Sequence, residues 1–72
     1  MKAKIRLDTL TDVQNFVRQA STVSHPVYIT DGKGLKVSAK SIMGALYSLE
    51  FDELWCECEQ DIFHIVKDFI AE

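Results

Sequence analysis

The sequence predicts a two-layer α/β sandwich, a four-stranded sheet with helices covering one face and water on the other. Three observations predict it. Polar and apolar residues alternate over residues 2–7, 27–30, 35–37 and 54–59, the period of a strand with one buried face. Apolar residues recur at helical spacing over residues 11–20, 41–49 and 60–71. The run Asp31-Gly32-Lys33-Gly34 is a strong hairpin turn, because glycine reaches positive φ cheaply. The expected order is β-α-β-β-α-β-α.

In the first strand Ala3, Ile5 and Leu7 face one way, and Lys2, Lys4 and Arg6 the other. Thr11-Asp12-Val13-Gln14 has the pattern of a capping box, with Thr11 as the cap and Gln14 reaching back. Val13, Phe16, Val17 and Ala20 then fall at i, i+3, i+4 and i+7 and form the buried stripe of the first helix, which ends near residues 21–24. Pro26 opens the second strand, with Val27 and Ile29 on one face and Tyr28 and Thr30 on the other. Leu35 and Val37 mark the returning strand.

Residues 41–49 form the second helix, with Ile42, Leu46 and Leu49 expected in the core, and Met43 and Tyr47 paired at i, i+4 on an adjacent face. Gly44 is expected to let this helix approach its neighbour closely. Leu54, Cys56 and Cys58 alternate with Trp55, Glu57 and Glu59 on the fourth strand. Residues 60–71 form the last helix, with Ile62, Ile65, Val66, Phe69 and Ile70 inward.

The 72 residues suffice for one small domain, 1–72, without linker, repeat or low-complexity segment. Hydrophobic residues make up 47%, spread along the whole length, which argues against disorder. Eleven acidic and eight Lys or Arg residues give a net charge of -3 with no basic run, so direct nucleic-acid binding is not expected. No apolar stretch approaches the ~20 residues that span a bilayer. The alternating start, MKAKIRLD, does not read as a signal peptide, and a cytoplasmic location is the expectation.

Cys56 and Cys58 have C-x-C spacing rather than the redox C-x-x-C. On a strand they share one face, so they are expected to be reduced and buried. His25 and His64 have no cysteine at metal-ligand spacing, and no catalytic triad order or glycine-rich phosphate loop is present. The expectation is a protein that is not an enzyme and needs no metal or cofactor.

The element order, together with Lys40-Ser41-Ile42-Met43-Gly44, resembles the HPr family, small phosphocarriers of the bacterial sugar phosphotransferase system. Phe16-Val17-Arg18-Gln19-Ala20-Ser21 is also similar to the end of that family's first helix. The resemblance spans nearly the whole chain. It implies an α+β, open-faced, two-layer sandwich: a four-stranded antiparallel sheet with three helices on one face.

It also implies that Ser41 is a site of regulatory phosphorylation by an ATP-dependent serine kinase, and that Lys40, Ile42, Met43 and Tyr47 lie in a patch that docks partner proteins. The chain departs from the family at one place. Where family phosphocarriers hold a His-Ala-Arg-Pro run, this sequence has Asp8-Thr9-Leu10-Thr11-Asp12, without histidine or arginine and with two carboxylates that repel a phosphoryl group.

The resemblance therefore implies a regulatory or protein-interaction module without histidine phosphocarrier activity. The alternative is a phosphotransferase-system component that binds HPr partners without accepting phosphate. Expected partners are a serine kinase and phosphotransferase-system or regulatory proteins, with neither nucleic acid nor membrane. The chain is expected to be a monomer or a weak homodimer.

Ser41 also has a purely structural reading as a helix N-cap. Trp55 falls on the water-facing side of the sheet, where the family pairing sets it near Tyr28. A cross-strand aromatic pair would explain both residues, and a dimer through that face is the alternative.

Overall fold

The computed structural model describes residues 1–71, and among them the expected order of strands and helices is present. Strands β1 (Lys2–Ile5), β2 (Val27–Thr30), β3 (Lys36–Ser38) and β4 (Leu54–Cys58) form an antiparallel sheet in the order β1-β4-β2-β3. Helices α1 (Leu10–Ala20), α2 (Ile42–Tyr47) and α3 (Phe63–Val66) pack on one face of it. The domain is α+β.

The core lies between the layers. Ile5 from β1, Val27 and Ile29 from β2, and Leu54, Cys56 and Cys58 from β4 meet Val13, Phe16 and Ala20 of α1 and Ile65 and Val66 of α3. Phe16 and Phe69 make an edge-to-face pair at 5.1 Å between ring centres. The period-2 and period-3.6 patterns thus place the sheet and α1 as expected.

The N-cap of α1 lies two residues before the expected one. Thr9 is the N-cap: its hydroxyl accepts from the Asp12 amide at 3.1 Å. The Asp12 carboxylate accepts from the amides of Thr9 and Asp8, at 3.2 and 3.0 Å. Thr11 and Gln14 are not the box. Starting at Thr9 gives the Asp12 carboxylate two backbone donors and puts its charge in the first turn, where the helix dipole favours it. A Thr11 cap would leave that carboxylate at the first helical position without either donor.

The last helix is shorter than the expected 60–71. Asp61 accepts from the Phe63 amide, α3 runs four residues, and a 3-10 turn covers Lys67–Phe69. Ile70 is extended and bridges Ile5, and the Arg6 and Ala71 amides donate to the Phe69 and Lys4 carbonyls. Pairing with the outer edge of β1 satisfies backbone groups that an edge strand otherwise leaves open. The inward set survives, since Ile62, Ile65, Val66 and Phe69 are all buried and Ile70 is partly so. The β2–β3 turn is tied by the Asp31 carboxylate, which accepts from the Lys33 and Leu35 amides. Gly32 there takes φ +78°. Leu35 lies outside β3 and is exposed.

Candidate functional site

Helix α2 departs most from the sequence expectation. Ile42, Leu46 and Leu49 are not core residues: they are 41%, 39% and 45% exposed, beside Met43 at 78% and Tyr47 at 56%. The inward face is made of small residues. Ala45 and Ser48 are fully buried, and a Cβ on Gly44 would stand 3.2 Å from the Ser38 carbonyl oxygen. The Ser48 hydroxyl satisfies itself on the Ala45 carbonyl. The helix packs on β3 and α1 through hydrogen, methyl and hydroxymethyl side chains. The large apolar side chains are left outside. Gly44, Ala45 and Ser48, at i, i+1 and i+4, were the sequence signal for this orientation. The larger residues outweighed them in a reading by hydropathy alone.

Ser41 caps α2. Its backbone is extended, its hydroxyl accepts from the Gly44 amide at 3.2 Å, and it is exposed. Lys40, just before it, does not reach toward solvent. Its ammonium donates to the Val23 carbonyl, tying the start of α2 to the turn after α1. Ile42, Met43 and Tyr47 lie together on the outer side of one short helix with Ser41 at its start. Tyr47 packs edge to face on Phe51 at 5.8 Å, which extends the apolar surface beyond the helix, and sequence reasoning missed Phe51. From Ser41 to Leu49 this surface carries no charged residue.

The outer face of the sheet has the opposite character. Across it the rows read Lys2, Glu57, Tyr28, Ser38 and Lys4, Trp55, Thr30, Lys36. Tyr28 therefore stands opposite Glu57 and Trp55 opposite Thr30, two residues out of step, and the expected pairing of the two aromatics does not form. Each takes lysine instead. Lys2 and Lys4 lie over the Trp55 ring, at 5.3 and 5.9 Å, and Lys36 lies over Tyr28 at 4.9 Å. The Trp55 indole donates to Glu53 at 2.7 Å, and Lys36 pairs with Glu57 at 2.9 Å. That hydrogen bond and charge raise Lys36 above, and lower Glu57 below, their ordinary values. The face is polar and partnered within the molecule. A hollow of about 370 Å³ beside Tyr28 is lined by this same Lys36–Glu57 pair.

Between β1 and α1 the Thr9 hydroxyl and the Asp8 and Thr9 amides serve the helix cap, as described, and the Asp8 carboxylate pairs with Arg6 at 3.1 Å. His25 and His64 are exposed and on other elements. Cys56 and Cys58 are free and buried, and burial pushes the Cys56 thiol up to about 12, with the neighbouring Cys58 adding to it. Among the described residues no group of three or more His, Cys, Asp or Glu could hold a metal ion, and no helix is long and apolar enough to cross a membrane. Comparison with known protein families, with curated proteins and with solved structures gives no match to this chain.

Proposed function

We propose that this domain is a protein-interaction module of the HPr type, regulatory rather than phosphocarrying, which docks partner proteins through the outer face of α2 and is switched by phosphorylation of Ser41. The observation that carries the reading is the inverted helix: small residues inward, and Ile42, Met43, Leu46, Tyr47 and Leu49 outward without a charge among them. A side chain as apolar as Met43 gains nothing from water, and a contiguous patch of this kind on a small domain suits contact with another protein.

Ser41 supports the second half of the proposal. Its hydroxyl is exposed at the edge of that patch, so a phosphate there would add charge beside the docking surface. The Asp8–Asp12 segment supports the absence of phosphohistidine chemistry, since its Thr9 and Asp12 side chains cap α1 and it holds no nucleophilic nitrogen. The chain is then a non-catalytic partner in sugar-linked regulation, acting through a serine kinase and through phosphotransferase-system or regulatory proteins.

The test is incubation with ATP and an HPr serine kinase, read by intact mass, with Ser41→Ala as control. In parallel, amide shifts are recorded on adding an HPr-binding phosphotransferase. The expected result is a single phosphoryl-sized gain, lost in Ser41→Ala, and shifts concentrated on residues 40–51. Shifts without a mass gain favour the alternative, a component that binds HPr partners without accepting phosphate. The absence of both the mass gain and the shifts overturns the proposal.

A further inference from the structure

We draw no further inference here: the strongest candidate, the groove of about 320 Å³ between β1 and the connection from α2 to β4, lined by Leu49 and Phe51 along with Lys4 and Asp52, continues the apolar face already described, and nothing in the structure shows what covers it.

Discussion

Burial sets the chemistry of Cys56. A thiolate there has little water to solvate it, so the thiol stays protonated far above neutral pH. Neither cysteine is expected to react with a thiol reagent such as dithiobis-nitrobenzoate in the native protein, and both are expected to react after denaturation. Fast native labelling at neutral pH would contradict this.

Lys36 and Glu57 make a different statement, because Lys36 is exposed, Glu57 is half-buried, and their pair is screened by salt. Glu57 is lowered by the pair, so its contribution is present above the unfolded value of about 4.3 and is lost as pH falls through the folded value. Lys36 is raised, so its contribution is present below about 10.4 and is lost as pH rises through its folded value. The melting temperature of the parent minus that of Glu57→Gln is expected to be small and positive near neutrality and to vanish at both extremes. A difference that does not vary with pH would show that the pair contributes nothing. At this scale the alternation of Leu54, Cys56 and Cys58 was enough to bury the thiols, because a strand's faces follow from its period alone. The partners of Trp55 and Tyr28 were not legible, because they depend on the register between strands distant in sequence.

The elements carry two sharper expectations. Thr9, not Thr11, accepts from the first turn of α1, so Thr9→Ala is expected to cost about 1 kcal/mol and Thr11→Ala a few tenths at most. Urea unfolding of the two variants decides it, and equal losses would contradict the Thr9 cap. Gly44→Ala in an ordinary helix gains up to about 1 kcal/mol. Here the added methyl meets the Ser38 carbonyl at 3.2 Å, an oxygen that already accepts from the Ser41 amide. The same unfolding measurement is expected to show the gain cancelled or reversed. A full 1 kcal/mol gain would mean that the close approach of α2 to β3 is not real.

Both caps involve hydroxyl residues that the sequence displays openly, yet only Ser41 was legible as a cap. Two threonines compete at the start of α1, and the choice between them rests on where the Asp12 carboxylate finds donors. The end of the chain departs from its helical spacing for a related reason. The apolar spacing from Ile62 to Ile70 fits a continuous helix, but the open edge of β1 offers Phe69, Ile70 and Ala71 backbone partners that a helix would forgo.

Across the whole molecule the two surfaces divide the labour. The outer sheet face pairs its charges within the domain, with lysines over aromatic rings and carboxylates on lysines. The α2 face presents apolar side chains that the domain covers only in part, Met43 least of all. A fold reading from hydropathy places the sheet and α1 correctly, because each needs one buried face. It fails for α2, where packing distance rather than hydropathy chooses the inward side.

The most direct check on that reversal is urea unfolding of Met43→Glu beside Ala45→Leu. Met43 is largely exposed and lies in the first turn, where a carboxylate is favoured, so Met43→Glu is expected to stay within about 0.5 kcal/mol of the parent. Ala45 is fully buried, and a larger side chain there must displace its neighbours, so Ala45→Leu is expected to cost about 1–3 kcal/mol. A large loss at Met43 with little or none at Ala45 would mean that α2 faces the other way, and the docking surface proposed here would not exist.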